Sequence, residues 1–252
     1  MKKSILVFAL AVLIATLGSG MAFAQSSGNF TYGTGGGTTA CVLESNGNIT
    51  GGVQCQVDCT IDAGGNSTCT GQTGTCIGNA IAGIKTSSGN GNVFVVRPSA
   101  VVGLLTDVTV SSKQVNSATG SVSSSALAGV DFKVTVAPQS GQQAPTVIPS
   151  GYITYDARYV QISTNLFQAL ADTCSGITGG CFFTFNQSTV SAHSFDYIVK
   201  GLSSGNYGVT VDWKPSAGFG GTGISEALSC VGPMNMTVQQ NKIFNFNSVN
   251  SF

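Results

Sequence analysis

The chain has 252 residues with ten basic and ten acidic side chains, and only 8% of its residues are charged, against roughly 25% in ordinary soluble domains. So few charges leave no basic patch for nucleic acid or anionic lipid. The composition also differs from that of disordered chains, which combine low hydrophobicity with high net charge, because 42% of the residues are hydrophobic. A neutral chain rich in Gly, Ser, Thr and Val favours a β protein.

Residues 1–24 have the pattern of a secretory signal peptide. Lys2 and Lys3 precede an apolar run over 5–17, and Ala22-Phe23-Ala24 supplies the small residues of a cleavage site. Cleavage would leave a chain that starts at Gln25. Without the two lysines it has eight basic and ten acidic residues, a net charge of −2. No later segment is apolar over the ~20 residues that a membrane-spanning helix needs. We therefore expect a secreted or cell-surface protein, exported through a signal of bacterial type.

Export moves the eight cysteines out of the reducing cytosol, so we interpret them as disulfide candidates. A first cluster holds five of them and a second cluster holds three: Cys41, Cys55, Cys59, Cys69 and Cys76; Cys174, Cys181 and Cys230. Because both counts are odd, complete pairing requires at least one bridge between the clusters. The alternative is one free or intermolecular cysteine in each cluster. Cys174 and Cys181 enclose a short loop that a bridge could close, but the sequence leaves the full pairing open.

Zinc binding by Cys55, Cys59, Cys69 and Cys76 is the alternative to disulfides. Their spacing fits no zinc ribbon or knuckle, and no histidine lies nearby. We therefore expect no metal site and no cofactor.

Residues 25–90 form a Gly- and Cys-rich segment with few large apolar side chains, which would need disulfides to stay folded. Asn46-Gly47 predicts a hairpin turn within it.

Residues 91–252 change to alternating apolar and polar positions, as in Phe132–Val136. About ten such runs, separated by turn residues, predict an all-β antiparallel sandwich of immunoglobulin-like or transthyretin-like type. Pro138–Ser150, with three prolines, is a predicted loop that could subdivide this region. The only predicted helix is a turn or two around Asn165–Asp172.

Residues 195–211 suggest a hairpin in which Gly201-Leu202 ends one strand and Tyr207 leads into another, with Gly205-Asn206 supplying the positive φ of the turn. This pattern resembles the hairpin of transthyretin-like domains, also called carboxypeptidase regulatory-like or prealbumin-like domains. The resemblance extends over about residues 128–249. It implies a seven-stranded sandwich that serves as an accessory or structural module of a secreted or surface protein. The stretch between Gly151 and Phe185 departs from the family by inserting a Cys-containing loop.

Three tyrosines are the candidate binding residues. Tyr152, Tyr155 and Tyr159 could stack on sugar rings if they share an exposed face, although their spacing does not fit one strand face and suggests an intervening turn. The lone tryptophan, Trp213, lies in an alternating Val-rich run and is predicted to be core.

We assign no catalytic residue from the sequence. His193 is the only histidine, and Ser194 cannot meet it because neighbouring residues of a strand point to opposite faces. The Gly223–Ala227 stretch lacks the last glycine of a nucleophile elbow. A hydrolase would require His193 to lie in a pocket beside a carboxylate or a hydroxyl.

The last ten residues, 243–252, alternate and end on Phe252. They could complete the domain's own sheet or add to another subunit. The leading hypothesis is an exported, non-catalytic structural or adhesion protein of the cell surface, a matrix or an appendage. Its expected partners are copies of itself or surface glycans, not nucleic acid. A secreted carbohydrate-binding module is the first alternative, and a secreted hydrolase is the second.

Overall fold

The computed structural model describes residues 29–35, 39–61, 67–71, 78–86, 92–112, 123–163, 172–174, 176–178, 180–221 and 224–242. The predicted signal peptide and, apart from Asp172, the predicted helix lie outside these residues. So does the C-terminal segment 243–252.

The described part of the chain is built from strands, which are numbered here in chain order. The first seven are β1 (Phe30–Gly35), β2 (Val42–Leu43), β3 (Ile49–Thr50), β4 (Val53–Ile61), β5 (Ser67–Gly71), β6 (Gly78–Thr86) and β7 (Asn92–Ser111). The other seven are β8 (Ser123–Pro138), β9 (Thr146–Ile148), β10 (Ile153–Ser163), β11 (Phe182–Ser194), β12 (Tyr197–Lys200), β13 (Gly205–Gly221) and β14 (Ile224–Lys242).

Two antiparallel sheets make up the molecule. The smaller sheet has the order β10-β8-β13-β6. In the larger sheet β14 and β7 lie side by side along almost their whole length, and each has different neighbours at its two ends. At one end the order is β5-β4-β14-β7-β11, and at the other it is β1-β14-β7-β12-β9.

The two sheets bury their facing sides against each other. Every second residue of β8, from Ser124 to Val136, is buried, as expected for strands with one face in a core. The largest buried side chains, Trp213, Tyr197, Tyr207, Phe94 and Phe132, lie in this layer. The predictions of an antiparallel β-sandwich and of a core tryptophan are both confirmed.

A small hairpin covers part of the outer side of the larger sheet. β2 and β3 pair with each other, and Gly47 occupies the predicted turn with a positive φ of 88°. Ile49 packs with Leu105 and Leu228 in a second, smaller core. A disulfide between Cys41 and Cys230 fixes this hairpin region to β14.

That disulfide is the predicted bridge between the two cysteine clusters. Cys174 and Cys181 form the predicted local bridge, and Cys55 is also disulfide-bonded. Strands from the Gly- and Cys-rich segment enter both sheets, since β4 pairs with β14 and β6 pairs with β13.

Two sequence expectations are wrong in detail. The predicted 138–150 loop contains β9, which pairs with β12. The predicted 195–211 hairpin is a connection between the sheets, because β12 belongs to the larger sheet and β13 to the smaller one. Positive φ occurs at Gly201 and Gly205 of this connection, whereas no residue other than glycine, and so not Asn206, adopts it in the described regions.

The described segments contain no helix that is both long and apolar enough to cross a membrane.

Candidate functional site

The three candidate tyrosines do not share one exposed surface. Tyr155 lies where the pairing of β10 with β8 shifts register, between Thr154 and Asp156, so a β-irregularity stands where we expected a turn. Its ring stacks on Phe132 with 4.0 Å between centroids, and its hydroxyl donates to the Pro98 carbonyl at 3.1 Å. Burial raises the pKa of Tyr155 well above its usual range. Tyr155 therefore packs against the core.

Tyr152 and Tyr159 are exposed but distant from each other. The Lys133 ammonium lies 5.7 Å from the centroid of the Tyr152 ring. Tyr159 donates its hydroxyl hydrogen to Gln161 at 3.1 Å. Seven strand positions separate the two tyrosines, which corresponds to about 20 Å. One sugar ring could contact only one of them.

His193 has both a hydroxyl and a carboxylate beside it. Its Nε2 lies 2.6 Å from Ser191 Oγ and 3.5 Å from Asp156 Oδ2. The hydroxyl belongs to Ser191 and not to Ser194, because residues two apart in a strand share a face. The Ser-x-His spacing is the sequence signal that could have revealed this contact.

This arrangement differs from a serine-hydrolase triad. In a triad the serine uses one imidazole nitrogen and the carboxylate holds the other. Here Ser191 and Asp156 both approach Nε2, and Ser191 also donates to Asp156 at 3.5 Å. The contacts of Asp156 with Ser191 and His193 instead connect edge strand β10 of one sheet with edge strand β11 of the other. Arg158, which donates to Thr189 at 3.0 Å, makes a second such contact.

The cysteine candidates provide no metal site in the part of the chain that the structure describes, where no group of three His, Cys, Asp or Glu side chains could hold a metal ion. Cys76 and the side chains of Cys59 and Cys69 lie outside that part.

An exposed surface that sequence reasoning missed lies on the outer side of the larger sheet. We call it the aromatic face. It consists of Phe30, Tyr32, Arg97, Thr237 and Gln239, which are aligned by strand pairing, together with Asp196, which is hydrogen-bonded to Arg97. Phe30 and Tyr32 are 61% and 70% exposed. The alternation in Phe30-Thr31-Tyr32 is the sequence signal for this surface, but it is short and lies in the Gly- and Cys-rich segment with few large apolar side chains.

A charged pair completes the aromatic face. Arg97 donates to both carboxylate oxygens of Asp196, at 2.5 and 2.6 Å. These hydrogen bonds lower the pKa of Asp196 and raise the pKa of Arg97. Because the two charges compensate each other, the face presents aromatic rings and hydrogen-bonding groups without a net charge.

A second exposed feature is β11, which is an edge strand among the residues that the structure describes. Its 13 residues contain no Asp, Glu, Lys, Arg or Pro, although natural edge strands are usually protected by such residues. Side chains 182–187 are all exposed. Phe182 is 65% exposed, and Phe183 and Phe185 are about 40% exposed. By contrast, the edge strand β10 carries Asp156 and Arg158.

The ladder pattern shows which backbone groups of β11 face outward. The Ser112 N–H donates to the Cys181 carbonyl at 2.8 Å, just before the β7–β11 pairing begins. Because antiparallel pairs alternate, the N–H and C=O groups of Phe182, Thr184 and Asn186 point away from β7. These groups form a row that can pair with a further strand.

No family model and no curated protein matches the chain. Among solved structures, the carbohydrate-binding module TmCBM61 in complex with β-1,4-galactotriose is 13% identical, with a TM-score of 0.13 over 62% of this chain and 61% of that one. The chain thus spans about three fifths of the length of that module. The unassembled KI polyomavirus VP1 pentamer is 10% identical, with a TM-score of 0.19 over 89% of this chain and 98% of that one. These overlaps are too slight to carry an argument about function, and they do not support the transthyretin-like resemblance.

Proposed function

We propose that this is an exported, non-catalytic structural protein of a cell surface, matrix or appendage that self-associates through the open edge of β11. The observation that carries the proposal is an uncharged edge strand of 13 residues with exposed phenylalanines. Such an edge is a template for pairing with another chain. The disulfides are compatible with an oxidising compartment outside the cytosol.

The experiment that tests this proposal is light scattering during size-exclusion chromatography of the exported, oxidised protein over a range of concentrations. We expect assemblies larger than a monomer. Phe182→Lys should reduce them because it places a charge on the pairing edge. Ile81→Lys is the matched control, since Ile81 is also 65% exposed but lies on β6 of the other sheet. A protein that stays monomeric at every concentration would contradict the proposal.

A second candidate function is the binding of uncharged glycans on the aromatic face. The observation in its favour is that Tyr32, Thr237 and Arg97 occupy one row of three neighbouring strands. Tyr32 and Arg97 are therefore about 10 Å apart, at two strand spacings. Aromatic rings can cover the apolar side of a sugar, and the Arg97–Asp196 pair can form hydrogen bonds with its hydroxyls.

Titration with neutral oligosaccharides, followed by calorimetry, tests the second function. Tyr32→Ala should weaken binding at least tenfold. Tyr159→Ala, which removes an exposed tyrosine from the other sheet, should leave binding unchanged. The reverse result would place the glycan site at the tyrosines of β10, and no binding to any neutral glycan would exclude this function.

A further inference from the structure

We propose that residues 243–252 of one copy add as a strand to β11 of a second copy, so that the protein assembles head to tail. This inference rests on the proposed function, because it names the segment that occupies the open edge.

The first argument is a match of sequence patterns. β11 contains Phe183-Thr184-Phe185, and the C-terminal segment contains Phe244-Asn245-Phe246. Phe183 and Phe185 lie on the same face of β11, since they are aligned with Val110 and Val108 of β7. If the segment lies beside them as a strand, Phe244 and Phe246 share one face and can form cross-strand aromatic pairs.

The polar residue between the phenylalanines fits this arrangement. Thr184 is exposed, and its hydroxyl lies 2.7 Å from the Thr109 hydroxyl on the opposite side of the strand pair. Asn245 would lie on this same polar side. The backbone groups of Thr184 point toward the added strand, so main-chain hydrogen bonds would accompany the side-chain match.

The second argument is that Phe244 and Phe246 cannot reach Phe183 and Phe185 of their own molecule. β14 ends at Lys242, opposite Asn92, whereas Phe185 pairs with Val108, which lies opposite Ser225. The 17 positions from Ser225 to Lys242 correspond to about 55 Å along the strand. Phe246 follows Lys242 by only four residues, which span at most about 14 Å. Phe244 and Phe246 can therefore meet Phe183 and Phe185 only in another copy.

The contact joins two different surfaces, so in a pair of molecules one keeps an unused donor segment and the other keeps an unused acceptor edge. Such heterologous contacts produce open filaments, or rings where the geometry closes.

A complementation experiment tests the inference on the exported, oxidised chain. Thr184→Pro blocks the acceptor, because proline removes an outward-facing N–H and is tolerated on an edge strand. Phe244→Lys with Phe246→Lys blocks the donor. Ser248→Lys with Ser251→Lys is the charge-matched control in the same segment. We expect each blocked variant to be monomeric by light scattering, an equimolar mixture of the two to give a one-to-one complex, and the control to assemble like the unmodified protein.

The outcomes separate this inference from the proposed function. If Thr184→Pro prevents assembly but the Phe244→Lys/Phe246→Lys variant still assembles, the donor assignment is wrong and β11 remains an assembly edge. Two monomeric variants that fail to combine also contradict the inference. A monomeric unmodified protein contradicts both proposals. Phe182→Lys replaces Thr184→Pro as the acceptor block if the proline variant does not fold.

Discussion

Cys41 and Cys230 are joined by a disulfide that spans 189 positions of the sequence, whereas Cys174 and Cys181 are only 7 positions apart. The long bridge also fixes the small hairpin to the centre of β14, where Cys230 is completely buried.

The two bridges should therefore contribute unequally to stability. The chain-entropy estimate gives about 5 kcal/mol for the long loop and about 2.5 kcal/mol for the short one. Replacing Cys41 and Cys230 by alanine should lower the free energy of unfolding by more than replacing Cys174 and Cys181. Urea denaturation of both double variants measures the difference, and equal losses would contradict this account.

A glycine at the start of β6 leaves room for the tryptophan. A Cβ added to Gly78 would overlap the indole ring of Trp213, whereas one added to Gly83, on the same strand, meets nothing within 4 Å. Gly78→Ala should lower stability by about 1–3 kcal/mol through overpacking. Gly83→Ala should be neutral or slightly stabilising, by up to about 1 kcal/mol, because alanine loses less entropy on folding. Thermal unfolding of the two variants measures both changes in stability. Similar melting temperatures would be evidence against the close contact between Gly78 and Trp213.

A buried hydroxyl offers a route to a more stable protein. Among the described residues, the Thr106 Oγ1 is buried without a hydrogen-bond partner, while Thr109, on the same strand, bonds to Thr184 at 2.7 Å. Thr106→Val should raise the free energy of unfolding by about 1 kcal/mol, since it removes an unpaired polar group without changing the shape of the side chain. Thr109→Val is the control and should not stabilise. A loss of stability in Thr106→Val would mean that the hydroxyl has a partner, such as a buried water.

Two buried tyrosines should make the fold sensitive to alkali. Burial raises the pKa of Tyr197 to about 12 and the pKa of Tyr155 above that, whereas a tyrosine in the unfolded chain titrates near 10. Between pH ~10 and pH about 12, tyrosines of the unfolded state lose protons that the folded state keeps. Stability is therefore complete below pH ~10 and falls as the pH rises, by about 1.4 kcal/mol per pH unit for each such tyrosine.

Tyr197→Phe tests this explanation. It should cost about 1 kcal/mol at neutral pH, because the Tyr197 hydroxyl donates to the Phe132 carbonyl at 2.9 Å. Between pH 10 and 12 it should lose stability less steeply than the unmodified protein. Urea unfolding at several pH values, with absorbance titration of the tyrosinates, measures both effects. An unchanged slope would contradict the assignment.

The sequence predicted the fold class because alternation along a strand is a local property. It predicted the Asn46-Gly47 turn and the buried Trp213 for the same reason. It did not predict that β14 continues through Pro233, because a proline normally ends a strand. In the structure the pairing with β7 shifts between Val231 and Met234, and an exposed proline at such an irregularity need not take part in the ladder.

The candidate surfaces were harder to predict, because they depend on pairing between distant strands. Tyr32 and Arg97 become neighbours only through their shared partner Thr237. Nothing local distinguishes β11 as an edge strand, and its lack of charge becomes informative only once its position is known. The inward turn of Tyr155 follows from a register shift of one residue, which reverses the face of the side chain.

The ladder between β7 and β14 has a mechanical consequence. These two strands pair from Asn92 to Thr109 and from Ile224 to Lys242, with one irregularity. A force that pulls Lys242 of β14 and Ser111 of β7 in opposite directions acts parallel to both strands. The hydrogen bonds between β7 and β14 run perpendicular to the strands. Under this force they are loaded in shear, so they must break together and not one after another. A molecule loaded along this axis would resist stretching far better than one pulled across its sheets.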